Sequence, residues 1–203
     1  MRKLKTIEMN RLSVEEFKEA EKLPLIVVLD DVRSLYNVGS VFRTCDAFRV
    51  EAVYLCGITA TPPHPEIHKT ALGGEDSVSW KYFPTAVEAV EELKQNGWFV
   101  YSIEQVEGST KLQNLQVGGN GAEMAAGSVV DKGADAAEPC CTRKDKKFAV
   151  VFGNEVKGVH QEVVDASNGC LEIPQFGTKH SMNVSVTAGI VIYKFAEQLI
   201  LTD

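Results

Sequence analysis

The chain has 203 residues, 44% of them hydrophobic and 24% charged, a balance that predicts a folded domain with one substantial core and excludes a disordered chain. Its formal net charge of −7 at pH 7 argues against indiscriminate nucleic-acid binding, which depends on clustered lysine and arginine, but leaves room for a local basic face. Residues 1–17 carry charges throughout and no apolar run long enough for a signal peptide or a membrane span, so the expected location is the cytoplasm.

A short helix is predicted ahead of the main domain. Ser13 and Glu16 have the spacing of a capping box, in which each side chain accepts a hydrogen bond from the other residue's backbone N–H. Pro24 marks the expected end of that helix. We therefore interpret residues 1–24 as an N-terminal helical extension and residues 25–203 as the main domain.

The main domain alternates between short apolar runs, typical of strands buried on both faces, and amphipathic stretches, typical of helices. The predicted strands cover residues 25–29, 52–55, 78–83, 98–103, 148–152 and 170–173. The predicted helices cover residues 39–48, 85–96, 159–167 and 181–201. This order predicts an α/β fold with a parallel sheet covered by helices.

Residues 116–147 break this alternation. The segment is rich in Gly and Ala and lacks sustained periodicity, which predicts a flexible surface insertion between two strands. Its basic end consists of Arg143, Lys144, Lys146 and Lys147. The insertion is either a solvated loop without function or a binding element.

The first polar motif is Asn37-x-Gly39-x-x-x-Arg43, which follows the strand predicted at 25–29. Asn37 can cap a helix, and Gly39 permits close backbone approach at the positive end of that helix, which suits phosphate. The inward face of the helix is filled, at helical spacing, by Val41, Thr44, Cys45 and Phe48. Arg43 therefore lies on another face and is free to meet a ligand. An ordinary helix cap and a solvated arginine would give the same pattern.

The second polar motif, FGNEVKG from Phe152 to Gly158, turns an apolar strand into a predicted helix. Two glycines around Asn154 and Glu155 describe a loop whose backbone donors and acceptors can face a small polar ligand. The motif is neither a GxGxxG fingerprint nor a phosphate loop, because the closing Gly-Lys-Ser/Thr is missing. An α/β enzyme for a nucleotide cofactor that is bound by such a glycine fingerprint is therefore only weakly supported, and it is kept as an alternative.

The third polar motif joins Ile173 and Pro174 to the sequence S-x-N-V-S-V that begins at Ser181. A strand end stopped by proline, a glycine-containing loop and a helix opened near Ser181 place Ser181 and Asn183 close to a helix N-terminus. Either residue can be a plain helix cap. All three motifs follow predicted strands, where open parallel sheets collect their ligands.

In this order, the three motifs resemble those of the SpoU-type, or TrmH-like, RNA methyltransferases of the SPOUT superfamily, over residues 25–200. The resemblance implies methylation of an RNA ribose 2′-hydroxyl with S-adenosylmethionine as cofactor. It implies a mostly parallel sheet of about six strands whose carboxyl-terminal part forms a deep trefoil knot, an exception to the rule that folds are unknotted. It also implies a homodimer.

The last predicted helix supports the dimer independently. Apolar residues surround nearly its whole circumference, at Val184, Val186, Ile190, Val191, Ile192, Phe195, Leu199 and Ile200. Such a helix needs packing partners on more than one side, and a second protomer would supply one of them.

The resemblance also implies roles for single residues. Those that match the polar catalytic cluster of the family are Asn37, Arg43, Glu155, Ser181 and Asn183. Those expected to surround the cofactor are Ile103, Glu104, Gly153, Gly158, Ile173, Pro174 and Met182.

The expected reaction is an in-line displacement, in which the ribose 2′-oxygen attacks the methyl carbon of a sulfonium and loses a weakly acidic proton. Arg43 is an awkward base because a guanidinium stays protonated in proteins. It either clamps the phosphate beside the ribose and stabilises the developing alkoxide, or passes its proton transiently to substrate phosphate, as is proposed for the family. The route of the proton is left open.

Relatives that act on ribosomal RNA often carry a separate N-terminal RNA-binding domain, whereas only about two dozen residues precede the first predicted strand here. The substrate is therefore expected to be transfer RNA. Candidate RNA contacts are the basic end of the insertion and the N-terminal residues Arg2, Lys3, Lys5 and Arg11. A frayed terminus is the alternative for the latter group. A catalytically silent RNA-binding protein of the same fold is the alternative function, and the intact polar cluster argues against it.

No metal site is predicted. His64 and His68 stand four residues apart, but Pro63 and Pro65 are expected to interrupt the helix that a two-histidine metal face requires. Five scattered cysteines without a CxxC pair indicate neither a disulfide framework nor a thiolate zinc site, and they fit a reducing compartment.

Overall fold

The structure, a computed structural model, describes residues 1–117 and 146–201. Residues 118–145, which make up most of the predicted insertion, lie outside the described part of the chain. The flexible loop and the RNA contacts expected there therefore stay predictions. Of the basic end, only Lys146 and Lys147 are described.

The described residues form one parallel sheet of seven strands, in the spatial order β3-β2-β1-β6-β4-β7-β5. The strands are β1 Leu23–Asp30, β2 Val50–Cys56, β3 Ser79–Phe83, β4 Phe99–Ile103, β5 Thr110–Lys111, β6 Phe148–Phe152 and β7 Gly169–Glu172. Every neighbouring pair is parallel. The predicted α/β class and parallel sheet are confirmed, and all six predicted strands are present.

Helices cover both faces of this sheet. They are α1 Val14–Glu19, α2 Leu35–Ala47, α3 Pro65–Ala71, α4 Gly74–Ser77, α5 Ala86–Gln95, α6 Gln161–Ala166 and α7 Val184–Ala196, which continues into a π-helical segment, Glu197–Leu201. The four helices predicted in the main domain are present. Helices α5, α6 and α7 lie within their predicted bounds, whereas α2 begins four residues before its predicted start. The short helices α3 and α4 were not predicted.

The core follows from the continuous apolar runs of the central strands, which are buried on both faces. In β1, Leu25, Val27 and Leu29 point into a cluster with α2 and α7. The alternate residues Ile26 and Val28 point into a second cluster with α5. The strand order reverses between β1 and β6, and the carboxyl edge beside such a reversal is where open α/β sheets bind ligands.

The N-terminal extension contains the predicted capping box. The Ser13 hydroxyl accepts from the Glu16 N–H at 3.2 Å, and the Ser13 N–H donates to the Glu16 carboxylate at 2.7 Å. Phe17 is buried and anchors the extension on the core. The helix ends at Glu19 rather than at Pro24, because the next residue is already extended. Pro24 lies inside β1.

The prolines between β2 and β3 leave His64 outside any helix, so His64 and His68 share no helical face, but an unpredicted helix begins directly after His64. Pro65 begins α3 instead of interrupting it, since the first helical position has no use for the missing N–H. Nδ1 of His64 accepts from the Glu66 N–H at 3.1 Å, and Nδ1 of His68 lies 2.5 Å from the Glu75 carboxylate. The two histidines thus have separate partners.

The carboxyl-terminal helix is unusually apolar. Val184–Leu201 is the one helical stretch in the described chain that is long and apolar enough, by length and composition alone, to cross a membrane. The core helix of a soluble protein meets the same criterion. Six side chains of α7 are buried against the rest of the fold, at Val184, Ala188, Val191, Ile192, Phe195 and Ala196.

Candidate active site

A cavity of about 280 Å³ opens at the carboxyl edge of the sheet, where the chain leaves β4, β6 and β7. Its walls combine apolar side chains with the polar backbone of the loop that follows β6. This composition is typical of sites for small ligands that carry both an apolar ring and polar groups.

Most of the residues expected around a cofactor line this cavity. They are Ile103, Glu104, Gly153, Gly158, Ile173 and Met182. Pro174 does not line it, although its neighbours Ile173 and Gln175 do. The structure therefore brings together three segments that are distant in the sequence.

Asn154 organises the loop after β6. Its backbone N–H donates to the Gly158 carbonyl at 3.0 Å, and the Gly158 N–H donates back at 2.9 Å, which closes the loop. Its side-chain oxygen accepts from the Val156 N–H at 2.9 Å, and its amide donates to the Asp31 carbonyl at 2.8 Å. The sequence analysis gave Asn154 no role of its own. Asparagine is nevertheless a known signal for such a turn, because its side chain can bond the backbone two residues later.

Glu104 supports the same loop from the end of β4. Its Oε2 accepts from the Val159 N–H at 3.0 Å, and its Oε1 accepts from the Gln105 N–H at 2.9 Å. A Cβ atom at Gly158 would lie 2.1 Å from Oε2, and Gly158 has a φ of +71°. Glu104 therefore fixes the shape of the cavity as well as lining it.

Three residues of the predicted catalytic cluster form one hydrogen-bonded chain. The Asn37 amide donates to Glu155 Oε1 at 3.1 Å, and the Asn183 amide donates to Asn37 Oδ1 at 3.1 Å. Asn183 Oδ1 accepts from the Ser185 N–H at 2.9 Å. An ionised carboxylate only accepts and a backbone N–H only donates, so the direction of every bond in the chain is determined.

This hydrogen-bonded chain of side chains also joins the first turns of two helices. Glu155 Oε2 accepts from the Arg33 N–H at 3.1 Å, and Oε1 accepts from the Ser34 N–H at 3.0 Å, just before α2. Ser34 is the N-cap of α2, so the prediction that Asn37 caps this helix was wrong. Asn183 is the N-cap of α7, which leaves Ser181 outside the helix.

Gly39 permits a close approach, but to another helix. A Cβ atom there would lie 2.2 Å from the Ile67 carbonyl oxygen and from the Thr70 hydroxyl. Since α3 occupies this space, the phosphate contact expected at Gly39 is not available. The glycine allows α2 and α3 to pack closely instead.

Ser181 and Arg43 occupy different surfaces. Ser181 is exposed and lines the cavity. Arg43 is exposed on α2, opposite the buried Val41 and Cys45, as the helical spacing predicted. It does not line the cavity but a separate groove, about 9 Å further along the helix axis than Asn37.

The pKa of Glu155 reflects this arrangement. Burial alone would raise it, but hydrogen bonds from the backbone N–H groups of Arg33, Glu155 itself and Ser34 and from the Asn37 amide outweigh burial, so the pKa lies below its ordinary value of 4.5. A carboxylate with both oxygens engaged and a lowered pKa is a weak proton acceptor. Glu155 thus fits the role of a positioning residue.

Glu155→Gln is expected to make stability less dependent on pH. A lowered pKa in the folded state stabilises the protein above the pKa of the unfolded chain, and this contribution is lost as the pH falls through the folded value. Urea unfolding measures the free energy of unfolding of both proteins from about pH 7 to about pH 3. The wild type should be more stable than Glu155→Gln at neutral pH, and the difference between the two should shrink as the pH falls. A difference that stays constant across this range would contradict the assignment.

One group of potential metal ligands occurs in the described part of the chain, at Asp30, Asp31 and His160. Asp30 Oδ2 accepts from the His160 backbone N–H at 3.1 Å and lies 2.9 Å from its Nδ1. Asp31 Oδ1 accepts from the Ile58 N–H at 2.9 Å. These contacts join the ends of β1 and β2 to the loop after β6 and need no ion to explain them.

Fold and cavity together define an α/β domain with a cavity for a small ligand at the carboxyl edge of a parallel sheet. A family model described as the SpoU rRNA Methylase family matches residues 24–193, and the chain therefore belongs to that family. Membership confirms the resemblance that the motifs carry, the methyltransferase class and S-adenosylmethionine as the methyl donor.

Two individual relatives share about a quarter of their aligned residues with this chain. A tRNA (guanosine(18)-2′-O)-methyltransferase of Thermus thermophilus is 26% identical over 191 residues, which cover 94% of this chain and 84% of that protein. A Borreliella burgdorferi protein named as an uncharacterized tRNA/rRNA methyltransferase is 27% identical over 186 residues, which cover 92% of this chain and 69% of that protein.

Solved structures share the fold. The A. aeolicus TrmH/SpoU tRNA modifying enzyme superposes with a TM-score of 0.69 at 22% identity, over 91% of this chain and 81% of that one. An AdoMet-bound rRNA methyltransferase from Sinorhizobium meliloti superposes with a TM-score of 0.67 at 21% identity, over 90% of this chain and 62% of that one.

Proposed function

We propose that this chain transfers a methyl group from S-adenosylmethionine to a ribose 2′-hydroxyl of a structured RNA, with transfer RNA the preferred class. The observation that carries the proposal is the hydrogen-bonded chain from Asn183 through Asn37 to Glu155, beside a cavity of suitable size and composition. The relative from Thermus thermophilus, which is named for 2′-O-methylation of a tRNA, supports the same chemistry.

The cavity residues fit the methyl donor. Ile103, Ile173 and Met182 offer apolar walls for a purine and an aliphatic chain, while the loop from Gly153 to Gly158 offers polar backbone around them. When bound, the cofactor supplies an activated methyl group on a sulfonium. The protein's task is then to hold the attacking oxygen in line with that methyl and to keep the donor immobile.

The polar cluster performs the alignment. Glu155 holds the N–H groups of Arg33 and Ser34 and the amide of Asn37, so that the start of α2 is tied to the cofactor loop. Asn183 ties the start of α7 to the same point. Ser181 lines the cavity within two residues of that cap, and its exposed hydroxyl can meet the substrate. The acceptor for the 2′-hydroxyl proton stays open.

The proposed assembly is a homodimer through the outer face of α7. Val186, Ile190 and Tyr193 are 52%, 39% and 51% exposed and follow one another at helical spacing. An apolar stripe on a helix whose opposite side is already buried is typical of an interface between protein subunits. The trefoil knot implied by the family also stays a prediction.

The function predicts two results with purified protein. S-adenosylmethionine and its demethylated product should each raise the melting temperature by mass action on the native state. With labelled S-adenosylmethionine and bulk tRNA, label should enter the RNA. The linkage that follows the labelled ribose should then resist alkaline cleavage, because a methylated 2′-oxygen cannot attack the neighbouring phosphate.

The alternatives give different results. A catalytically silent RNA-binding protein would bind the tRNA without transferring label. A thermal shift with NADH and none with millimolar S-adenosylmethionine would contradict the proposal. Label on a base rather than a ribose would retain methyl transfer and overturn the 2′-hydroxyl as its target.

A further inference from the structure

A second concave surface lies away from the cofactor cavity. It is a groove of about 740 Å³ between the N-terminal extension, the carboxyl half of α2 and the turn that joins α3 to α4. None of its lining residues also lines the cavity. We call it the arginine groove, after Arg11, Arg43 and Arg49, which all line it.

The charge of the arginine groove contrasts with that of the chain. The whole protein has a formal net charge of −7, yet three of its arginines converge here against a single acidic lining residue, Asp46. All three arginines are exposed. Within the described residues their guanidinium groups have no hydrogen bond or ion pair to another side chain. Charged groups that the fold leaves unpaired in one concave surface are available to an anionic ligand.

Two backbone features shape the groove. Arg49 has a φ of +50°, a left-handed conformation that turns the chain out of α2 and into β2. At Gly74, a Cβ atom would lie 3.1 Å from the Phe42 carbonyl oxygen and 3.2 Å from the Arg43 Cα. The absence of a side chain at Gly74 lets α4 pack closely against the backbone of α2 and leaves the Arg43 side chain accessible above it.

The groove and the polar cluster are linked through helix α2. Asn37 lies in the first turn of α2, Arg43 about 9 Å further along the axis, and Arg49 just beyond its end. A polyanion held at Arg43 would also meet Arg49 and Arg11, because all three line the same groove. Arginine suits phosphate because its planar fork can donate two parallel hydrogen bonds.

We propose that the arginine groove binds the phosphate backbone of the RNA segment next to the methylated nucleotide, with Arg11 and Arg49 as phosphate contacts. The inference rests on the proposed function, since RNA is the substrate named there. Phosphate contacts of this kind position a nucleic acid without reading its sequence. The groove thus gives RNA affinity to a protein whose overall charge opposes it.

Arg11→Gln and Arg49→Gln test the groove. Each is expected to weaken the binding of bulk tRNA, measured by filter binding, by about tenfold and to lower the slope of log affinity against log salt by about one. The loss should also appear as a higher KM for tRNA. Binding of S-adenosylmethionine, measured by calorimetry, should not change, which separates a lost RNA contact from a damaged fold.

Lys94→Gln is the matched control. It removes one positive charge from α5, on the opposite face of the sheet, where Lys94 donates to the Ala166 carbonyl at 2.7 Å. Groove variants that bind tRNA like Lys94→Gln would overturn the groove and leave the proposed function intact. If polyglutamate competes with tRNA at equal charge concentration, the ligand of the groove would be an acidic protein instead of RNA. A wild type that binds S-adenosylmethionine but neither binds nor methylates RNA would overturn both proposals.

Discussion

Arg43→Ala is expected to slow methyl transfer by about two to three orders of magnitude, because a group that aligns phosphate and stabilises charge in the transition state contributes about 3 to 4 kcal/mol. Folding, dimerisation and cofactor binding should stay close to wild type, since Arg43 is exposed and the inward face of α2 is filled by buried Val41 and Cys45. Initial rates at saturating S-adenosylmethionine, over a series of tRNA concentrations, measure the loss.

Two further variants show what kind of contact Arg43 makes. Arg43→Lys should recover little activity, because a lysine presents a point charge instead of a planar fork. Arg49→Gln, in the same groove, should raise KM, whereas Arg43→Ala should lower kcat. If Arg43→Ala keeps more than about a tenth of the wild-type kcat, the lost stabilisation is under about 1.4 kcal/mol. Arg43 would then be one more phosphate contact of the arginine groove.

The strands were predictable because their physical cause lies within short stretches of chain. Residues 25–29 and Phe148–Phe152 are continuous apolar runs, and such runs indicate strands buried on both faces of a parallel sheet. The two-residue strand Thr110–Lys111 was missed since two residues show no periodicity. Its existence depends on pairing with β7, which is a long-range contact.

Helix ends were harder to predict because caps compete. Ser34, Asn37, Ser181 and Asn183 all have side chains that can cap, and composition alone does not choose among them. The structure selects Ser34 and Asn183, which frees the Asn37 side chain to join Glu155 and Asn183. Helix α3 was missed for a related reason, since proline breaks a helix interior but suits its first turn.

The sequence motifs predicted which residues meet at the cavity better than they predicted its geometry, and the catalytic roles of these residues stay predictions. The order of three motifs pointed to Asn37, Glu155 and Asn183, and the structure joins these three by hydrogen bonds. Periodicity placed Arg43 on an outer face of α2, and this is confirmed. It could not show that Arg43 lies in a different concave surface from the cofactor cavity, because that depends on how the N-terminal extension and α4 pack beside α2.

Gly153→Ala is expected to abolish detectable binding of S-adenosylmethionine. A Cβ atom at this position would lie 2.1 Å from the Gly158 carbonyl carbon and from the Val159 nitrogen, so backbone would have to move. Opening the loop would break the paired hydrogen bonds between Asn154 and Gly158 and remove one wall of the cavity. The overpacking should also lower the stability by about 1 to 3 kcal/mol. Thermal shift with and without ligand measures both effects.

Two other glycines show whether the effect comes from this close contact. Gly158→Ala meets the movable Glu104 side chain instead of backbone, at a φ of +71°, so it should weaken cofactor binding less than Gly153→Ala while adding strain of about 1 kcal/mol or more. Gly177→Ala has no neighbouring atom within 4 Å of the new Cβ and should bind like the wild type. If Gly153→Ala folds and binds S-adenosylmethionine as tightly as Gly177→Ala does, the loop after β6 cannot be the wall of the cofactor site, and the donor must bind elsewhere on the sheet edge.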